Sequence, residues 1–258
     1  MFMNRNFFLF IVFCLSIPFF KIISAEKDPE IGILEKYGNT LPLELTFTNS
    51  DNKQVQLKNI INKPTVLVFV YYHCQHVCTP LLDDLTELLD KSDLVAGKDF
   101  QIVTISFNHE ETVADAAKWK SKYLGNLQHK IDPSAWEFMV GDSISIKKIT
   151  SEAGFFFRKD STKDFNHPTS LIILSSDGKI ARYMLGNGYL PADFKMAINE
   201  AKEGKSVPTI RKLIRFCFSY DKKDNKLVLN YNRVFGIAVI LVIGIFFVTL
   251  LIKNKKKE

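Results

Sequence analysis

Apolar runs alternate with amphipathic stretches along the middle of this 258-residue chain. A continuous run of β-branched and aromatic residues over 64–72 predicts a strand buried on both faces. Leucines at helical spacing over 81–89 predict a helix directly after it. The same patterns predict strands over 100–107, 136–140, 169–174 and 179–185, and helices over 112–124, 142–152 and 191–202. Strands separated by helices indicate a parallel sheet with helices on both faces, and the last strand pair adds an antiparallel edge.

Both ends of the chain carry uncharged apolar segments. The run over 7–20 follows Arg5, is short for a membrane span and leads to small residues ending at Ala25. We therefore expect residues 1–25 to be a signal peptide, with an uncleaved anchor as the alternative. Residues 234–252 carry no charge and are long enough for a transmembrane helix, with a lysine-rich tail over 253–258 that favours the cytoplasm. A globular domain over 26–205 and a connector over 206–233 would then face the bacterial periplasm, anchored in the inner membrane by a single pass.

The terminal segments also explain the charge. The formal net charge is +6 and the isoelectric point is near 9.0, but most of the basic excess lies at the two ends. The middle of the chain is close to neutral, whereas a protein that binds phosphate backbones needs a basic face. We therefore expect no nucleic-acid partner.

Two cysteines lie where functional loops are found in an α/β sheet. Cys74 and Cys78 directly follow the strand over 64–72, beyond its carboxyl end. If this segment is helical, the two sulfurs share a face and could form a disulfide or chelate one ion. The positive end of the following helix would then lower the pKa of these thiols. Loss of Cys14 with the signal peptide leaves Cys217 as an odd cysteine: a lone thiol, an auxiliary metal ligand or half of an intermolecular disulfide.

Two thiolates leave a metal ion short of ligands, so a histidine should complete the site. His76 lies between the cysteines and is a possible fourth ligand, while His109 and His129 fit structural or solvated positions better. His167 precedes Pro168 and the strand over 169–174. This order resembles the loop of thioredoxin-like proteins in which a cis-proline before a late strand lies against the cysteine loop. If Pro168 holds that position, His167 is carried next to the two cysteines.

The combined pattern resembles the SCO/SenC family of thioredoxin-fold copper proteins, in the bacterial branch with a C-terminal membrane helix. The stretches that carry the resemblance are VFVYYHCQHVCTPLLDDL (68–85), ISFNHEET (105–112), GDSISIKKITSEAGFFFRKD (141–160) and NHPTSLIILSSDGKIARYMLG (166–186). The resemblance implies a thioredoxin-like α/β fold with a central mixed sheet flanked by helices. It also implies copper ligation by Cys74, Cys78 and His167, and soft thiolates with one imidazole suit Cu(I).

The sequence departs from the family pattern at several places. Gln75 follows the first cysteine where proline is common, and Thr79 stands before Pro80. Asn108 and His109 stand where an Asp-Pro pair is usual, which removes an acidic residue that could help to dock copper or a partner.

The resemblance implies a copper chaperone, without catalytic turnover, that delivers copper to the dinuclear site of cytochrome c oxidase subunit II. The alternative is a thioredoxin-like thiol-disulfide oxidoreductase acting on that subunit's cysteines, with Cys74 as nucleophile and Cys78 as resolving thiol. A third reading is a peroxidase-like relative that uses one cysteine of low pKa. Since an oxidising periplasm would convert the pair to a disulfide, a periplasmic thiol reductant is expected as a partner, together with a copper donor.

Overall fold

The computed structural model describes residues 31–74, 78–160, 164–206, 218–221 and 226–229. The expected signal peptide (1–25), transmembrane helix (234–252) and basic tail (253–258), and most of the expected connector, lie outside these ranges. Within the described ranges, no helix is both long and apolar enough to cross a membrane.

A seven-stranded mixed sheet forms the centre of the fold. Its strands, in sheet order, are β11 (Ile180–Leu185), β10 (Ser170–Leu174), β4 (Thr65–Val70), β5 (Gln101–Ser106), β6 (Trp136–Val140), β2 (Thr46–Asn49) and β3 (Gln54–Gln56). The three central strands β4, β5 and β6 are parallel, and the strands on either side of them are antiparallel. The expected mixed sheet is therefore confirmed, but both of its edges are antiparallel where the sequence predicted only one.

The centre of the sheet is covered on both faces. Every residue of β4 is buried, and five of the six residues of β5 are buried as well. Successive side chains of a strand point to opposite faces, so complete burial requires packed elements above and below. In the same core the indole of Trp136 donates a hydrogen bond of 2.9 Å to the Thr104 hydroxyl, which satisfies a polar atom that would otherwise be orphaned.

In the described part of the chain, four helices flank the sheet: α1 (Cys78–Lys91), α2 (Val113–Asn126), α3 (Ser143–Glu152) and α4 (Pro191–Lys202). The predicted apolar face of α1 is buried. Thr112 caps α2 in a reciprocal capping box with Asp115, and the Asp142 carboxylate caps α3. α2 packs against β6 and β2, and α4 packs against β10 and β11. This mixed α/β arrangement fits the expected thioredoxin-like fold.

Short pairs of strands complete the described part of the chain. β1 (Gly32–Ile33) pairs with β7 (Phe155–Phe156), and β8 (Arg158–Lys159) pairs with β9 (Phe165–Asn166), directly before His167. A hairpin of β12 (Phe218–Asp221) and β13 (Lys226–Leu229) lies in the connector, where the sequence predicted no regular structure. Two single turns of 3₁₀ helix, Leu57–Asn59 and Pro133–Ala135, lie in the remaining connections.

Candidate metal centre

Strand pairing brings the two halves of the site together. Cys74 follows the carboxyl end of β4, and β10 runs antiparallel to β4 with Leu171 opposite Val68. The start of β10 therefore lies beside the end of β4, and His167, three residues before β10, reaches the cysteine loop. This placement confirms the predicted approach of His167 to the cysteines.

The three predicted ligands form one compact cluster. The Cys78 sulfur lies 3.6 Å from His167 Nε2, and the donor atoms of Cys74, Cys78 and His167 all lie within 4.8 Å of one another. Both cysteines are reduced and buried, whereas His167 is half-buried. The Cys78 backbone N–H also donates to the Cys74 sulfur over 3.3 Å. Two sulfurs and one imidazole nitrogen at these separations can converge on a single ion, and their softness favours Cu(I).

A backbone carbonyl sets the tautomer of His167. Its Nδ1 lies 3.0 Å from the Pro168 carbonyl oxygen, which can only accept a hydrogen bond. Nδ1 must therefore carry the proton in the neutral ring, which leaves the Nε2 lone pair directed at the thiols. An outer hydrogen bond of this kind is the usual means of orienting a metal-binding histidine.

An aromatic wall holds the His167 ring from the protein side. The ring centroid lies 5.0 Å from that of Phe107, 5.8 Å from that of Tyr71 and 6.4 Å from that of Phe155. Phe107 is itself buried among further aromatic rings. These contacts limit the rotation of the imidazole and shield one side of the cluster from water.

Two contacts tie the β8–β9 hairpin, which leads to His167, to the rest of the site. The Tyr71 hydroxyl donates a hydrogen bond to the Asp164 carboxylate. At the surface, the Lys159 ammonium lies 2.8 Å from the Glu110 carboxylate. The approach to His167 is thus anchored both to the cysteine loop and to the loop after β5.

Burial dominates the acidity of Cys78. The cysteine is the first residue of α1, so the helix terminus was expected to lower its pKa. Instead burial, followed by the hydrogen bond and charge interaction with Cys74 and the nearby Glu111 carboxylate, raises the pKa of the Cys78 thiol well above its ordinary value. The prediction of a low thiol pKa is wrong for Cys78, because desolvation outweighs the partial charge of the helix end.

The cis-proline expectation is also wrong. No peptide bond in the described ranges is cis, and this includes the bond between His167 and Pro168. His167 reaches the cysteines through the antiparallel register of β10 and β4 instead.

The remaining candidates lie elsewhere or outside the described residues. His129 is exposed beside Asp90, and His109 is exposed in the loop after β5, so neither joins the cluster. Asn108 is buried, and its side-chain oxygen accepts the Glu110 N–H over 3.1 Å, which is a local turn contact. His76, Cys217 and Cys14 lie outside the described residues.

One residue beside the cluster was missed by sequence reasoning. Glu111 has a side chain that is only 1% exposed, and its carboxylate lies under the cysteine loop. In the sequence it is one of two consecutive glutamates before a helix, a pattern typical of a solvated surface. Its burial therefore could not be read from the residues around it.

Comparisons with known proteins agree with this geometry. The SCO1/SenC family model matches residues 36–201. The SCO1 protein homolog of Bacillus subtilis (strain 168) is 24% identical over 151 residues, which cover 57% of this chain and 75% of that protein. A solved structure from Aquifex aeolicus VF5 is 28% identical with a TM-score of 0.60, and the match covers 65% of this chain and 95% of that one. Copper-bound ScoI of Arabidopsis thaliana has the same fold, with 20% identity, a TM-score of 0.53 and coverage of 65% of this chain and 99% of that one.

Proposed function

The chain belongs to the SCO1/SenC family, and on that premise we propose that it is a copper chaperone for cytochrome c oxidase. It binds Cu(I) through Cys74, Cys78 and His167 and delivers it to the dinuclear copper site of oxidase subunit II. The observation that carries this proposal is the convergence of two reduced thiols and one oriented imidazole within 4.8 Å. Family members take part in copper assembly of this oxidase, which supports the acceptor.

The geometry suits transfer as well as binding. Three donors leave Cu(I) below its maximum coordination number, so an incoming thiolate of an acceptor can attach before a resident ligand leaves. Both cysteines are buried, whereas His167 is half-buried, so the imidazole faces the side from which an acceptor can approach. His167 is therefore the ligand that we expect to be released first, while the thiols keep hold of the cargo.

Thiol-disulfide exchange is the second candidate. The Cys78 N–H donates to the Cys74 sulfur, a contact that stabilises a thiolate at Cys74 and suits it as the nucleophile. In that reaction the Cys74 thiolate attacks a target disulfide and releases one target thiol. Cys78 then resolves the mixed disulfide, so the target becomes a dithiol and this pair becomes a disulfide. A periplasmic thiol reductant returns the electrons, and it is also required for copper binding, because a disulfide cannot ligate Cu(I).

We further propose that the chain is anchored in the bacterial inner membrane through residues 234–252, with residues 26–233 in the periplasm after removal of the signal peptide. The uncharged length of 234–252 and the lysines that follow support this topology. The test compares the full chain with a chain ending at residue 233, both expressed in bacteria. The full chain should stay with washed membranes and the shorter one should be released with the periplasmic fraction. Equal distribution of the two would contradict the anchor.

The function is tested with the full chain, purified in mild detergent, reduced and loaded anaerobically with Cu(I). Copper stoichiometry and X-ray absorption should give one copper per chain with two sulfur ligands and one nitrogen ligand. Cys74→Ala, Cys78→Ala and His167→Ala should each lose tight binding. His129→Ala, which alters an exposed histidine away from the cluster, should bind like the wild-type protein.

The same variants separate the two candidates. A chaperone needs the imidazole, whereas an oxidoreductase needs only the thiols, so His167→Ala should abolish tight copper binding and only alter the rate of disulfide reduction. Retained copper affinity in His167→Ala would refute the ligand assignment. Absence of stable copper in the wild-type protein, together with rapid cycling of a Cys74–Cys78 disulfide, would favour the oxidoreductase.

A further inference from the structure

A tight turn presents Cys74 to the metal site. After β4 the chain reverses over residues 71–74, and the Cys74 N–H donates to the Tyr71 carbonyl oxygen over 3.2 Å. The two central residues of this turn, Tyr72 and His73, have backbone N–H groups that point to the same side. Consecutive N–H groups of this kind form a small concave site for an anionic group.

The carboxylate of Glu111 fills that concave site. One oxygen accepts the Tyr72 N–H over 2.7 Å, and the other accepts the His73 N–H over 2.8 Å. The Ser106 hydroxyl lies 2.5 Å from the first oxygen, and the His73 ring Nδ1 lies 2.9 Å from the second. Each oxygen of Glu111 thus has two donors, one of which is a backbone N–H of the turn.

Among the described residues, the acidic side chains that neighbour Glu111 make other contacts. Glu110 is adjacent in sequence, but its carboxylate pairs with Lys159 at the surface. Asp115 approaches only the ring of His73, with 3.6 Å between the two nearest atoms. The hydrogen bonds to the backbone of the turn therefore come from Glu111.

The position of Cys74 depends on these bonds. The Tyr72 N–H is buried and the His73 N–H is partly buried, so without an acceptor they would favour a different backbone conformation of the turn, and Cys74 is the next residue. We propose that Glu111 is a positioning residue of the metal centre, which holds the 71–74 turn so that the Cys74 sulfur faces Cys78 and His167. This inference rests on the proposed copper binding and adds a residue to it that does not itself touch the metal.

The test uses Glu111→Gln in the full chain. Glutamine keeps the shape of the side chain but replaces one acceptor oxygen with an NH₂ group. This NH₂ group is a hydrogen-bond donor, so it cannot accept from the backbone N–H of the turn that it faces. We expect the affinity for Cu(I), measured by competition with a chromophoric chelator, to fall by about tenfold, the lower end of the range for lost outer hydrogen bonds. Glu44→Gln removes the same charge from an exposed position that pairs with Lys148 and is not part of the metal cluster, so it should leave the affinity unchanged.

Two further variants separate positioning from general stability. Ile198→Val removes one methylene from the buried core under α4 and should lower the free energy of unfolding without changing copper affinity. His73→Ala removes the ring contact but keeps the backbone N–H, so it should change the affinity less than Glu111→Gln does. Equal copper affinity in the folded Glu111→Gln, Ile198→Val and wild-type proteins would overturn the proposal.

A copper-free measurement keeps this test independent of the proposed function. The equilibrium between the Cys74–Cys78 dithiol and its disulfide is measured in glutathione buffers. Since the turn holds Cys74 in the position described for the reduced pair, release of the turn should favour the disulfide by about threefold or more in Glu111→Gln. No shift relative to Glu44→Gln would overturn the positioning role. Failure of the wild-type protein to bind copper would refute the chaperone function alone.

Discussion

Phe107 offers a sharp test of how packing controls the metal centre. The residue is 2% exposed, and its ring centroid lies 5.0 Å from that of His167 and 4.6 Å from that of Phe157. In Phe107→Ala, the lost burial costs about 2–3 kcal/mol. A remaining cavity of roughly 100 Å³ adds about 2 kcal/mol. We therefore expect the free energy of unfolding to fall by about 4 kcal/mol, within the usual range for buried phenylalanine. The loss of one wall also lets the imidazole rotate, so copper affinity should fall by about tenfold.

Phe100 is the matched control at the other end of the same strand. Phe100 directly precedes β5, whereas Phe107 directly follows it. Phe100 is fully buried, and its ring centroid lies 5.2 Å from that of Phe194 in α4. Phe100→Ala should lose a similar amount of unfolding free energy, measured by urea denaturation with tryptophan fluorescence, and should keep its copper affinity. Equal affinities in the two folded variants would refute the idea that the aromatic wall orients His167.

Two predictions concern pH and helix capping. Because the raised pKa of Cys78 keeps its thiol protonated near neutrality, copper binding must release at least that proton, and apparent Cu(I) affinity should rise by at least about tenfold per pH unit between about pH 6 and 8. A flat affinity profile from competition titrations would contradict this linkage. Asp142→Ala removes hydrogen bonds of 2.9 Å to the N–H groups of Ile144 and Ser145 and should lower the free energy of unfolding by about 1 kcal/mol. The bonds to Ser145 hold the Asp142 pKa below its usual value. The stability from this cap is therefore fully present above the ordinary pKa of an aspartate and should be lost as the pH falls through the lowered pKa of Asp142. A difference in unfolding free energy between Asp142→Ala and wild type that persists in strong acid would contradict this prediction.

The sequence predicted the elements whose composition is dictated by burial. β4 is apolar apart from Thr65 and β6 apart from Glu137, and α4 begins and ends where its amphipathic pattern and Pro191 indicated. The β2–β3 pair was missed because it contains mostly polar residues around Phe47 and Val55, so an edge hairpin there resembles a loop.

For the metal centre, the sequence predicted the ligands but not the residues and burial that support them. The two thiols could be singled out from their spacing after a buried strand, whereas His167 was identified through the resemblance to the family and to the loop of thioredoxin-like proteins. Glu111 could not be singled out, because its partners are backbone N–H groups, which every residue possesses and which leave no trace in the sequence. The raised pKa of Cys78 was likewise hidden, since it depends on how completely the helix terminus is covered.

The antiparallel pairing of β10 with β4 makes the order of folding matter for metal acquisition. The two thiols are close along the chain, but the imidazole arrives from 89 residues away and only when these two strands pair. Before these strands pair, the chain therefore offers oxidants a nearby pair of thiols but does not yet offer copper a three-donor site. Binding of copper by all three donors then requires that β10 has already paired with β4. Bound copper in turn stabilises the folded protein and raises its free energy of unfolding by about 4 kcal/mol when the concentration of free Cu(I) exceeds the dissociation constant roughly a thousandfold.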